Sequence, residues 1–211
     1  MRCLFVIPAL NEEKNIKKIL IHLNKIGDTL VIDDGSKDNT YNLSKKLSTI
    51  LIKNKKNYGY DRSIKLGLKY ALKNNYDYAI TFDGDNQHKF SDAKKILNKI
   101  KNYDVIVGCR NFYNRKIEEI ISIISYKIFK IKDPLTGMKC YNLKTLKKKI
   151  INLSLNKDEM GMFCLNWVNT FKVINLNIHS NLQNKKSSMN IHGDIERKIL
   201  KCFLIILKKN L

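Results

Sequence analysis

Apolar positions follow two alternating rhythms along the chain. "CLFVIP" (3–8), "TLVIDDGS" (29–36), "TILIK" (49–53), "YAITF" (78–82) and "DVIVG" (104–108) are short, near-continuous apolar runs that stop on polar residues, and each predicts a buried strand. Between them the spacing turns helical. Ile16, Ile19, Leu20, Leu23 and Ile26 share one face, with Asn11 expected as N-cap and Glu12 and Glu13 in the first turn. Ile64, Leu68 and Leu72 mark a second helix, and Ile96, Leu97 and Ile100 a third. Past Arg110 the alternation breaks down. "IEEIISIISYKIFKI" predicts a long apolar helix, "DPLTGMKCYN" a turn into a strand, residues 158–171 a helix, "VINLNIH" a strand and "DIERKILKCFLIILKKNL" a terminal helix.

Strand–helix alternation predicts an α/β fold, a mainly parallel central sheet with helices on both faces. Ligands of such sheets bind at the carboxyl ends of the strands. The polar punctuation falls there: "PALNEE", "DDGSKDNT", "DGDNQH" and "GCR". In "ITFDGDNQH" a strand runs into Asp83 and Asp85, two apart. Carboxylates are seldom buried unless paired or bound to metal. A turn with an Asx bond is the plain alternative.

The 211 residues, 44% hydrophobic, suit one domain with a full core. The formal charge of +21 attracts anions: nucleic acid, acidic headgroups or phosphorylated substrates. The lysines are scattered, as a general solvated surface would have them, and no aromatic-and-basic motif supports nucleic-acid binding. Five cysteines, odd in number and far apart, argue against disulfides or a zinc knuckle and for a reducing cytoplasm. The apolar stretch at the N-terminus is too short for a signal peptide, and no run reaches the ~20 apolar residues of a membrane span.

Six blocks in order, "VIPALNEE", "VIDDGSKDNT", "NYGY", "FDGDNQH", "VGCR" and "DPLTGMKCYN", make residues 4–140 resemble a family-2 glycosyltransferase of GT-A fold, most like its dolichyl- or polyprenyl-phosphate mannose or glucose synthase branch. The resemblance implies inverting transfer from a nucleotide diphosphate sugar to a polyprenyl phosphate, a lipid-linked glycan or a hydroxyl acceptor. It implies Mg²⁺ or Mn²⁺ at Asp83 and Asp85, with Gln87 near the metal and His88 in support. The ion would neutralise the leaving diphosphate. Pro8, Leu10, Glu12, Asp33, Asp34, Gly84, Arg110 and Lys186 are implied around the nucleotide sugar, with Asp33 and Asp34 sharing the nucleoside role. An aromatic is usual where Leu10 stands. Arg62 is either a phosphate ligand or an exposed side chain. Asp133, Thr136 and Gly137 are implied on the acceptor side. Asp85 and Asp133 are implied at the reaction centre; a hydroxyl acceptor also needs a base, for which Asp158 and Glu159 are the candidates, whereas a lipid phosphate is already ionised.

The expected organisation is one domain over 1–193, with a nucleotide-sugar half (1–110), an acceptor half (111–193) and a basic amphipathic helix (194–211). Stripes of Ile117, Ile120, Ile121, Ile124 and Ile128, and of Ile199, Leu200 and Phe203–Leu207 between lysines, suggest peripheral contact with an anionic membrane; packing on the sheet or in a dimer is the alternative. A pyrophosphorylase or dehydrogenase would need a glycine-rich loop after the first strand, which "VIPALNEE" is not. A non-catalytic nucleotide-sugar-binding relative stays open.

Overall fold

A computed structural model describes residues 1–179 and 194–210. Its seven-stranded sheet has the order β3-β2-β1-β4-β6-β5-β7. The strands are β1 (Cys3–Ala9), β2 (Asp28–Asp33), β3 (Ile50–Lys53), β4 (Tyr78–Thr81), β5 (Val105–Cys109), β6 (Lys139–Asn142) and β7 (Val173–Asn177). Only β6 runs against its neighbours β4 and β5; every other pairing is parallel. The five apolar runs of the first half are thus all strands, and the sheet is mainly parallel.

β1 is buried along its whole length, which is why it reads as unbroken apolar sequence. Phe5 and Ile7 face α1 (Ile16–Leu23) and α4 (Phe90–Lys99). Leu4 and Val6 face the opposite layer, with α3 (Tyr60–Lys73), α5 (Lys116–Phe129), α6 (Lys147–Ile151) and α7 (Ile195–Asn210). α3 lies close on the sheet because Gly67 has no side chain; a Cβ there would meet Val6 Cγ1 at 2.2 Å. α2 (Thr40–Leu47) packs beside α1.

Two boundaries differ from the sequence expectation. Asn11 is not an N-cap: it sits at φ 57°, and α1 begins at Ile16 after a turn in which Asn15 and Ile16 N–H both donate to Glu12 O. Asn11 instead ties two loops together, its Oδ1 accepting from Lys37 N and its own N–H donating to Ser36 Oγ. Residues 158–171 contain no α-helix but a 3-10 segment, Met162–Trp167. Met160 and Gly161 take positive φ, and both carboxylate oxygens of Asp61 hold this loop through Glu159 N and Gly161 N. A tertiary anchor, invisible to periodicity, overrides the helical pattern.

Candidate active site

The ends of β1, β2, β4 and β5 meet the start of β6 at one edge of the sheet. β6 is antiparallel, so its leading residues Thr136 and Gly137 lie beside the carboxyl ends of the others. Asp34 N donates to Ala9 O, Phe82 N to Val6 O and Gly108 N to Met138 O, stitching the edge together. Gly84 packs on the first loop, where a Cβ would stand 3.0 Å from Pro8 O and 3.4 Å from Glu12 Cγ.

Asp83 is clamped from both sides. Tyr60 Oη donates to its Oδ1 at 3.0 Å, and His88 Nε2 lies 3.1 Å from its Oδ2. Burial works against ionisation, but the bonds from His88 and Tyr60 and the charge of buried Lys139 outweigh it and hold the carboxyl below its usual range. Asp83 also dictates Gly137: a Cβ there would lie 1.8 Å from Asp83 Oδ2. Tyr60, raised far above its ordinary value by burial and by Asp83, is a pure donor here. His88 is buried beside Asp83.

Asp85 behaves in the opposite way. Burial, then the charges of Asp83 and Glu12, push its carboxyl up to about 7, against a bond from Gln87 N at 3.0 Å. Crowded oxygen donors that repel one another suit a hard divalent cation. Among the described residues no three His, Cys, Asp or Glu side chains cluster to hold a metal alone. Asp83 and Asp85 offer oxygen donors of the kind such an ion takes.

The two adjacent aspartates divide their work. Asp34 is saturated: it accepts from Asn54 Nδ2 at 2.6 Å, Tyr58 N at 3.0 Å and Gly59 N at 2.8 Å, fixing the loop into α3. Asp33 is fully buried, and its Oδ1 accepts from Ser36 N at 3.1 Å. Its Oδ2 has no hydrogen-bond partner. A buried oxygen left without a protein partner at a strand end is open to a donor from water or a ligand. Pro8, Leu10 and Glu12 belong to the β1 end, and Glu12 N donates to Thr40 Oγ1. Lys186 lies outside the described residues.

Several expected roles do not fit. Arg110 is not a free phosphate ligand. Its Nε and Nη2 grip Asp133 bidentately at 2.8 and 3.0 Å, and Nη2 reaches Glu118 at 3.2 Å. Burial opposes this cation, but Asp133 and Glu118 hold it charged. Asp133, buried in that grip, is no free base. Asp158 is exposed and paired with Lys198 on α7 at 2.6 Å. Glu159 is buried between Lys65 at 2.9 Å and Lys157 at 2.7 Å. Arg62 is half-buried: it covers the Tyr58 ring at 4.6 Å and donates to Asn156. Thr136 turns its carbonyl to Lys139 Nζ at 2.6 Å, and Gly137 O accepts from Thr81 Oγ1 at 2.6 Å.

Sequence reading missed Tyr60, Lys139 and the fully buried Lys65, which pairs with Asp61 at 2.7 Å. Lys65 could have been found: Asp61, Lys65, Leu68 and Leu72 share one helical stripe, so the ion pair had to point inward.

Comparison with known proteins bears on family and fold. Residues 4–175 match the family described as Glycosyl transferase family 2. An uncharacterised protein of Methanocaldococcus jannaschii is 43% identical over 127 residues, 56% of each chain, so the chain spans little more than half of that relative's length. UDP-N-acetylglucosamine–dolichyl-phosphate N-acetylglucosaminyltransferase of Methanococcus voltae is 31% identical over 175 residues, 67% of this chain and 70% of that one. Undecaprenyl-phosphate mannosyltransferase of Micrococcus luteus is 25% identical over 118 residues, 52% of this chain and 49% of that one. In fold the chain resembles glucosyl-3-phosphoglycerate synthase of Mycobacterium tuberculosis, solved with Mn²⁺, UDP-glucose and phosphoglyceric acid: the TM-score is 0.76 at 14% identity, covering 98% of this chain and 80% of that one. With strand-end motifs, a GT-A sheet and a family match over most of its length, the chain belongs to glycosyl transferase family 2.

Proposed function

We propose that the chain transfers a sugar, with inversion, from a nucleoside diphosphate sugar to a polyprenyl phosphate. The observation that carries the acceptor class is the state of the acceptor-side carboxylates. Asp133, Asp158 and Glu159 are each committed to a cation. A hydroxyl nucleophile must lose its proton to a base as it attacks; a phosphate monoester is already an anion and needs none. A phosphate oxygen attacks the sugar's anomeric carbon while the bond from that carbon to the diphosphate breaks, and the nucleoside diphosphate leaves. The relatives that act on dolichyl phosphate and undecaprenyl phosphate support the same class.

On the donor side, the orphan Oδ2 of Asp33 accepts from the nucleoside, and Asp34 keeps the loop into α3 in place around it. Asp83 and Asp85 would hold Mg²⁺ or Mn²⁺, which neutralises charge growing on the diphosphate as it departs. Tyr60 and His88 orient Asp83 so that its carboxylate does not swing. Gly84 and Gly137 let Pro8, Glu12 and Asp83 pack closely at the strand ends. β6, from the half expected on the acceptor side, lies between β4 and β5 of the nucleotide-sugar half, which supports reading the two as parts of one domain.

The test is release of nucleoside diphosphate from a panel of nucleotide sugars, with Mn²⁺ or with EDTA, and with a short-chain polyprenyl phosphate or an oligosaccharide as acceptor. Acceptor-dependent release with the phosphate alone, lost in EDTA, is the expected outcome. Turnover with the oligosaccharide alone overturns the acceptor class. Nucleotide-sugar binding without turnover on any acceptor makes the chain a non-catalytic relative.

A further inference from the structure

Eleven large hydrophobic residues are exposed among the described residues, and seven of them lie on two helices that pack side by side. α5 and α7 cover the same face of the sheet. They bury Ile121 and Phe129 from one, Ile199, Phe203 and Ile206 from the other. Their outward sides keep Ile120, Ile123, Tyr126 and Ile128 on α5 and Leu200, Leu204 and Ile205 on α7 in solvent; Ile123 is 53% exposed and Leu204 47%. Clustered exposure of this kind marks a docking surface, not scatter. The stripe expected from sequence is therefore divided: Ile121 points inward, Ile117 and Ile124 are partly buried against the core, and Ile120, Ile123 and Ile128 point outward.

We propose that this two-helix face seats the protein on the surface of an anionic lipid bilayer. Charge selects the occupant. Lys127, Lys130 and Lys132 border the α5 patch, and Lys201, Lys208 and Lys209 the α7 patch, all exposed. Lysines around a shallow apolar strip pair with acidic headgroups while the strip enters the acyl boundary. A second copy of this chain would set the same lysines against one another across a two-fold contact, at a cost in repulsion. Among the described residues no helix is long and apolar enough to cross a membrane, so this contact lies on the surface. α5 is tied to the carboxyl end of the sheet: Glu118, in its first turn, binds Arg110, which follows β5. The inference rests on the lipid-acceptor reading for its purpose: a polyprenyl phosphate headgroup would meet the site at the bilayer surface.

The experiment is co-sedimentation of the full chain with vesicles of phosphatidylcholine and phosphatidylglycerol that contain no acceptor, beside light scattering and circular dichroism. The variants are Ile123→Ser/Leu204→Ser and Lys201→Ala/Lys208→Ala; all four side chains are exposed, so both should fold. We expect wild-type binding to anionic vesicles to fall at least about fivefold in each variant. Folded wild-type protein left in the supernatant, or the apolar variant binding as wild type, overturns the proposal. So does a wild-type dimer, dissolved by the apolar variant, that ignores vesicles. Turnover on a water-soluble short-chain polyprenyl phosphate, measured in parallel, separates the two ideas. Intact turnover without vesicle binding sinks the membrane surface alone; vesicle binding without turnover sinks the acceptor reading alone.

Discussion

Asp33 and Asp34 are neighbours in sequence and opposites in chemistry. Asp34 spends its oxygens on Asn54, Tyr58 and Gly59, whereas Asp33 keeps one buried oxygen unpartnered. Replacing them separates binding from folding. Asp33→Ala should weaken nucleoside diphosphate affinity about tenfold by calorimetry, near 1.4 kcal/mol, with little change in melting temperature. Asp34→Ala should instead lower stability by about 1–3 kcal/mol by stranding buried donors. The reverse pattern would exchange their roles. Asp85 supplies a pH test. Its carboxyl is pushed up to about 7 from an ordinary 3.8, so between those values the folded chain holds a proton that the unfolded chain has released. The group's contribution to stability is thus greatest below about pH 4 and is lost as pH rises through 7. Asp85→Asn should raise the melting temperature of the metal-free protein at pH 8 by a few degrees, with the gain fading toward pH 4. It should also remove the stabilisation that added Mn²⁺ gives the wild type. An unchanged melting temperature at both pH values would show that Asp85 is not strained in the free protein.

At the level of elements, the buried ion cluster decides what periodicity could not. Lys65 of α3 donates to Lys157 O and pairs with Asp61 and Glu159, which lie on either side of the α3–loop seam. Removing its charge leaves Asp61 buried without this cation and Glu159 with Lys157 alone. Lys65→Met should cost about 3–5 kcal/mol in denaturant unfolding and loosen the loop at 157–161 to hydrogen exchange. A loss under about 1 kcal/mol would mean that water or Lys157 already compensates the pair. The same seam explains what was legible in the sequence. β1, β2, β4 and β5 could be read because a strand buried on both faces must be apolar throughout. The D-x-D could be read as polar punctuation where β4 ends, and Asp85 there makes the Asx bond, from Gln87 N, that the plain turn alternative predicts. Residues 158–171 could not, because their backbone is held by Asp61, about a hundred positions away in sequence. Arg110 and Asp133 also look like site residues one at a time. Only their 2.8 Å contact shows that they satisfy each other. The α5 stripe misled for a different reason: isoleucine occurs on both of its faces, so pattern alone could not say which one meets the sheet.

For the whole molecule, the governing quantity is a formal charge of +21 on a body that gathers its carboxylates inward. Asp33, Asp34, Asp61, Asp92, Asp133 and Glu159 are all buried, while most lysines stand in solvent. The surface is therefore more one-sided than the composition. Such a surface repels itself in the folded state, more than in the expanded chain, and salt screens that repulsion over about 10 Å at 0.1 M. Internal pairs such as Lys65–Asp61 and Arg110–Asp133 are buried and respond far less. Two effects of opposite sign follow for one variable. Raising NaCl from about 20 to 300 mM should raise the melting temperature by a few degrees, because screened repulsion is relieved while the buried pairs persist. Over the same range, association with any anionic partner, a nucleoside diphosphate or a charged vesicle, should weaken, because the long-range attraction is screened too. Differential scanning calorimetry and calorimetric titration on one protein sample read both. A melting temperature that falls with salt would mean that exposed ion pairs, and not lysine repulsion, dominate the surface.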